Sequence, residues 1–256
     1  MKIWAVANQK GGVGKTTTAI SLAGWLSLKN KKTLIVDLDP HGSLSSYFGL
    51  DPDSLDKSVY TVFLKAASKQ QMDINEVIHS TRFENLSILP ASTAIATLDK
   101  QLGAKEGMGL VLAKQLINLK GRFDYIFVDC PPMLGILMIN ALAACNQLLI
   151  PVQTEHLALK GLDRMLSTLG MINRARKAPL DYAIIPTMFD RRTRAAIECL
   201  RIMQDKYDPK SLKKTIIPVD TKFREAARDG VPLPICSPHS RGSKAYDLLL
   251  DSLLAD

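Results

Sequence analysis

The sequence predicts an α/β fold with a mainly parallel central sheet flanked by helices on both faces. Three observations carry this reading. Short runs of Ile, Val and Leu recur along the chain, helical patterns lie between most of them, and the runs are continuously apolar, as strands buried on both faces are. In order, the strand signals fall at 3–7, 33–37, 86–89, 125–129, 148–151, 182–186 and 215–217. Apolar residues at three- and four-residue spacing predict helices over 16–29, 109–119, 134–144, 158–173, 193–207 and 243–254. The stretch 51–107 carries only weak signals. No repeat, low-complexity tract or Gly/Ser linker interrupts the pattern, so 1–256 is expected to form one domain.

Composition excludes several classes. With 256 residues, 46% hydrophobic and 23% charged, the chain has the make-up of a globular protein and is neither disordered nor fibrous. A net charge of +8 favours an anionic partner without choosing among nucleic acid, nucleotide and acidic lipid. Cys130, Cys145, Cys199 and Cys236 form no C-x-x-C pair and no Cys/His cluster, which speaks against a disulfide framework or a zinc site and fits a reducing, cytosolic compartment. The apolar stretch at 1–7 is too short for a signal peptide. The uncharged run 130–154 is long enough to span a bilayer, but Pro131, Pro132, Asn140, Asn146, Gln147 and Pro151 break it up.

The strongest chemical signal lies between the first strand and the first helix, in Asn8-Gln9-Lys10-Gly11-Gly12-Val13-Gly14-Lys15-Thr16-Thr17. Glycines let successive backbone N–H groups turn inward around phosphate oxygens. The following helix N-terminus adds partial positive charge, Lys15 a full one, and Thr16 offers a hydroxyl to Mg²⁺. The strict pattern G-x-x-x-x-G-K-[ST] fails at its first glycine, where Gln9 stands, and Lys10 follows. Leu34-Ile35-Val36-Asp37-Leu38-Asp39-Pro40 ends a buried strand with two carboxylates two residues apart, both on the same side of the strand end. An Asx turn or helix cap is the alternative use of Asp39. Tyr125-Ile126-Phe127-Val128-Asp129 is a second apolar strand ending in an acid, placed where parallel sheets bind ligands.

Lys10-Gly11-Gly12-Val13-Gly14-Lys15-Thr16-Thr17 resembles the deviant Walker A motif of the ParA/MinD family of P-loop ATPases, a SIMIBI-like P-loop NTPase fold, and the resemblance runs from about residue 2 to residue 254. It implies ATP and Mg²⁺ as cofactors, and a homodimer when ATP is bound. In that family the lysine at the place of Lys10 reaches the partner subunit's phosphates. By the same resemblance Lys10, Lys15 and Asp39 serve catalysis, with Asp39 orienting the attacking water. Lys10, Gly11, Gly12, Val13, Gly14, Lys15, Thr16, Thr17, Glu155, Met188 and Pro218 are expected around the nucleotide. Thr16, Asp37 and Asp129 are expected around the metal. His41-Gly42-Ser43 departs from the Gln-Gly-Asn common in the family after Asp-Pro.

Positive charge is concentrated late in the chain. Between Arg191 and Arg228 stand eleven Lys and Arg against five Asp and Glu. Such a patch is either a solvated helix face or a grip on phosphate backbones that reads no bases. The resemblance implies non-specific DNA contacts at Arg192 and Lys222, with Arg194, Arg201 and Arg224 as neighbours; Lys222 stands where arginine is usual, which loses bidentate geometry.

The short ParA, Soj-like type is the expected subfamily. No helix-turn-helix precedes the first strand, and the last helix carries acidic polar positions, unlike a basic membrane-anchoring helix, so no membrane anchor is expected. Segments 8–10, 37–48 and 157–165 are most similar to ParA-like proteins that accompany chemotaxis genes. This implies polar positioning of chemotaxis arrays by cycles of ATP binding, DNA or partner binding and hydrolysis stimulated by a protein partner, in the cytoplasm at the nucleoid or the pole. The alternatives are chromosome or plasmid partitioning with a ParB-type partner, an ATP-dependent metabolic ligase on a related fold, and a pure scaffold.

Overall fold

The computed structural model describes residues 1–102, 105, 107–176 and 178–255. The chain runs β1 (Lys2–Val6), α1 (Lys15–Leu28), β2 (Thr33–Asp37), α2 (Ser43–Tyr47), α3 (Val59–Ala67), β3 (His79–Ser80), β4 (Leu86–Leu89), α4 (Leu98–Leu102), α5 (Val111–Leu116) and β5 (Tyr125–Asp129). It continues through α6 (Ile136–Ala144), β6 (Gln147–Gln153), α7 (His156–Ala175), β7 (Asp181–Thr187), α8 (Arg194–Lys206), α9 (Lys222–Asp229), α10 (Leu233–Cys236) and α11 (Arg241–Ala255). Among the described residues the strands form one seven-stranded sheet in the order β3-β4-β2-β5-β1-β6-β7, parallel except for the short edge strand β3.

Side-chain alternation explains why the strands read as unbroken apolar runs. Trp4, Val6, Ile35, Phe127 and Leu149 point to one face, where Leu22 and Leu26 of α1 and Tyr246 and Leu249 of α11 cover them. Ile3, Ala5, Leu34, Val36, Ile126, Val128, Leu148 and Ile150 point to the other, under α3, α5, α6 and α7. Both faces are dry, so alternate residues need not alternate in polarity. Trp4, 2% exposed, stands edge-on to Phe127 with ring centroids 5.5 Å apart, and Tyr246 reaches across to Thr18, hydroxyl to hydroxyl at 2.8 Å.

Register places the chemistry. Val6 lies opposite Asp129, and Asp129 opposite Asp37, so the C-terminal ends of β1, β5 and β2 are level and the loops leaving them converge. Among the described residues no helix is long and apolar enough to cross a membrane.

The structure departs from the expected elements in several places, α9 among them, and three have a plain physical reason. The strand expected over 215–217 is an irregular segment: the Ile217 N–H donates to the Pro186 carbonyl, and Phe189 bridges Pro218. Proline has no N–H to give, so a regular ladder against β7 is interrupted there. The helix expected over 109–119 is divided into a 3₁₀ turn at Met108–Leu110, α5, and a second 3₁₀ turn at Ile117–Leu119. Its start is held by buried Asn140, whose Oδ1 accepts from the Leu112 N–H. Finally, α3 lies inside the weakly signalled stretch, opened by a capping box in which Ser58 and Thr61 exchange side-chain and backbone bonds.

Candidate functional site

The loop between β1 and α1 is shaped by its glycines. Gly12 and Gly14 have φ of 73° and 91°, in the left-handed region. A Cβ on Gly12 would meet nothing, and one on Gly14 only Met188 at 3.9 Å, so backbone conformation rather than crowding demands glycine here. The first turn of α1 contains no acid, leaving its N–H groups and dipole free to face an anion. Lys15, 7% exposed, reaches only the Lys10 carbonyl, 3.5 Å from its ammonium. A buried ammonium so poorly satisfied matches a phosphate as its missing partner.

Carboxylates close the other side. Thr16 Oγ1 donates to Asp129 Oδ2 at 2.6 Å, while Asp129 Oδ1 is buried with no partner among the described residues. Burial, then the neighbouring Asp37, pushes the Asp129 carboxyl up to about 8, against the opposing pull of Thr16 and Lys15. Burial raises Asp37 to about 6, although hydrogen bonds from Ser45 and Asp39 oppose it. An orphaned, desolvated carboxylate oxygen beside a threonine hydroxyl fits a hard divalent cation. No three His, Cys, Asp or Glu side chains converge as a metal cage among the described residues, so the donor set suits Mg²⁺, which keeps phosphate and water in its shell.

Asp37 is engaged otherwise. Its Oδ1 accepts from the Asp39 N–H at 3.0 Å, and its Oδ2 accepts from the Ser45 N–H at 2.9 Å and Ser45 Oγ at 2.7 Å. Ser45 Oγ then accepts from the Ala91 N–H. Thus Asp37 ties the loop after β2 to the end of β4, close beside Asp129. Asp39 does form the Asx contact allowed above, its Oδ1 accepting from the His41 N–H at 3.0 Å.

Lys10 is held by an ion pair with Glu155, the residue before α7. Four further contacts fix this corner. Asn8 donates to the Pro151 carbonyl and accepts from the Lys10 N–H, Gln9 donates to Thr168, and Gly161 approaches so closely that a Cβ would stand 3.0 Å from that of Lys10. Thr168 carries no signal of its own in the sequence; only its place on α7, within reach of Gln9, reveals it. Met188, at φ 52°, would stand 3.9 Å from a Cβ on Gly14, and the next residue, Phe189, bridges Pro218. Thr187 Oγ1 donates to the Val13 carbonyl and locks β7 to the loop.

The basic residues are arranged differently. Arg192 makes a forked pair with Asp190 at 2.9 and 2.7 Å, which holds the Asp190 carboxyl down near 2, and Lys222 pairs with Glu225 at 2.6 Å. Arg194, Arg201 and Arg224 are exposed and have no ion-pair partner among the described residues. The loops holding Arg192 and Thr221 face each other across a cleft of about 400 Å³ that Arg241 also lines.

Together the parallel sheet, the glycine cradle with its lysine, and the Thr16–Asp129 pair define a P-loop nucleotide-binding protein. Comparisons with known proteins specify it further. A family model described as an AAA domain matches residues 1–182. The chain is 38% identical to the chromosome-partitioning ATPase Soj of Treponema pallidum, covering 99% of this chain and 97% of that one. It is 36% identical to the sporulation initiation inhibitor protein Soj of Bacillus subtilis, over 96% and 95%. Among solved structures, cobyrinic acid a,c-diamide synthase from Mycobacterium smegmatis with bound ATP analog and magnesium superposes with a TM-score of 0.81 at 32% identity, covering 99% and 94%. The chain belongs to the ParA/MinD family; it is an ATPase that takes ATP and Mg²⁺.

Proposed function

We propose that this ATPase is a dimerisation switch that positions a large intracellular cargo. The observation that carries the reading is the division of labour between two lysines on one loop. Lys15 reaches the Lys10 carbonyl beside the glycines, whereas Lys10 is held in an ion pair with Glu155. A lysine that does not serve its own phosphates is free to serve a partner's. When a second subunit offers a triphosphate, Lys10 exchanges Glu155 for it, which couples assembly to nucleotide state. Thr16 and Asp129 hold Mg²⁺, which neutralises charge on the phosphates, and Asp39 orients the attacking water. Met188 and Pro218 flank the base. The dimer then presents two copies of the basic surface, with Arg192 and Lys222 at its centre and Arg194, Arg201 and Arg224 around them, and binds DNA far more tightly than a monomer does. Hydrolysis, accelerated by a protein partner, releases it. In this reading residues 1–256 act as one domain.

Asp39→Ala should bind ATP, accumulate as a dimer by light scattering and lose roughly 100-fold in turnover, the scale of a lost acid–base group. Lys10→Ala should bind ATP and stay monomeric. An Asp39→Ala protein with normal turnover would refute the assignment.

Cargo is a separate question. The name of the Treponema pallidum relative supports chromosome partitioning, for which the partner would be of ParB type, while segments 8–10, 37–48 and 157–165 support polar placement of chemotaxis arrays. A fluorescent fusion separates them: nucleoid signal with origin-linked foci indicates partitioning, a polar focus following chemoreceptors indicates arrays. The name of the synthase supports the ligase reading instead, in which turnover would require a small second substrate and not DNA or protein.

A further inference from the structure

The turn carrying Asp39 is tightly built. Its Gly42 N–H donates to the Asp39 carbonyl at 2.8 Å, closing a four-residue turn with aspartate first, proline second and glycine fourth, the places where such a turn favours each. Gly42 has φ 59°, and a Cβ there would stand 2.2 Å from Pro52 Cγ, so the turn admits no other residue without shifting. Below it, buried Asp37 grips both ends through the Asp39 N–H and Ser45. At the third position stands His41, the departure from the family's usual glutamine.

His41 donates twice to one atom. Its backbone N–H lies 3.0 Å and its ring Nδ1 2.8 Å from Asp39 Oδ1. A carboxylate oxygen accepts, so this contact is a hydrogen bond when Nδ1 carries the ring proton. A carboxyl group otherwise turns through a broad, roughly two-fold torsion. Here Oδ1 is pinned, and Oδ2 has no partner among the described residues. We propose that His41 is a positioning residue for ATP hydrolysis, fixing the Asp39 carboxylate by Nδ1 so that Oδ2 alone is presented to the attacking water. The proposal rests on the reading of Asp39 given above. The His41 side chain is 81% exposed, against 16% for Asp39, so truncating His41 removes little buried surface and variants at this position keep the fold.

Steady-state ATPase kinetics on the full chain, with Mg²⁺ and ATP, test it. His41→Ala should lower kcat roughly tenfold with KM for ATP within about twofold, because a misoriented group is lost only in the transition state. His41→Asn places its amide nitrogen where Nδ1 was and should recover kcat to within about threefold, whereas His41→Gln, with its donor one bond further out, should recover less. A His41→Ala protein at full kcat, a loss confined to KM, or an asparagine variant as slow as alanine would each overturn the proposal. If Asp39→Ala is slow while His41→Ala is normal, this inference alone fails; if Asp39→Ala turns over normally, the reading beneath it fails as well.

Discussion

The phosphate cradle and the basic surface beyond β7 use the same material, cationic side chains and aspartates on short loops, in opposite surroundings. In the cradle Lys15, Asp37 and Asp129 are each at least nine-tenths buried. On the surface Arg192 and Lys222 are exposed and neutralised within two or three residues by Asp190 and Glu225. The difference teaches where a single side chain matters. In a low-dielectric site one charge has no substitute, whereas on a screened surface many charges share the work. Three measurements can break or sharpen this contrast.

The largest effect belongs to Lys15. Lys15→Ala removes the buried cation of the cradle, and truncating one partner of a desolvated charge pair costs on the order of 2–5 kcal/mol, so ATP affinity should fall by about 100-fold or more. Titration with a fluorescent ATP analogue checks this. A loss below about threefold would place the cradle among screened surfaces and erase the distinction.

The second effect is on pH. Folded Asp129 and Asp37 keep their protons up to about pH 8 and about pH 6, whereas unfolded carboxyls release theirs near pH 4. Between these limits the folded chain binds more protons than the unfolded one, so their contribution makes stability fall as pH rises through that window. The nucleotide-free, metal-free protein should therefore melt several degrees lower at pH 8 than at pH 5. Asp129→Asn should flatten the slope, and Mg²⁺ with ATP should restore stability most at the higher pH, where no proton competes. A melting temperature that climbs with pH, in the wild type and in Asp129→Asn alike, would contradict the burial argument.

The same contrast explains what was legible in the sequence. Glycines at 12 and 14, Lys15 and Thr16 occupy a continuous loop whose function follows from local spacing, and the strand ends at Asp37 and Asp129 follow from apolar runs that stop at an acid. The sheet order follows from neither, because it depends on which strands pair. Asp37 accepts from Ser45 eight residues away, Ser45 in turn accepts from Ala91, and the partners of Lys10 and Gln9 are Glu155, just before α7, and Thr168 within it. Such contacts leave no local period. The segment 215–217 misled because Thr-Ile-Ile reads as a strand until its neighbours are known: Ile217 donates to Pro186 of β7, which has no N–H to return, and Pro218 follows at once.

The smallest effect, and the one that tests the surface half of the contrast, is on DNA. Arg192 cannot contact a phosphate without giving up part of its fork to Asp190, so its net gain is smaller than that of an unpaired arginine such as Arg194. Arg192→Ala should then weaken binding of the ATP-bound protein to a random-sequence duplex by about threefold and reduce the slope of log affinity against log salt by ~1. Asp190→Ala, which frees Arg192, should strengthen binding at low salt and steepen the same slope. Equal effects on duplexes of different sequence are expected, since phosphates carry no base identity. If Asp190→Ala instead weakens binding, the fork is what presents the arginine to DNA, and the acid is part of the binding surface rather than a brake on it.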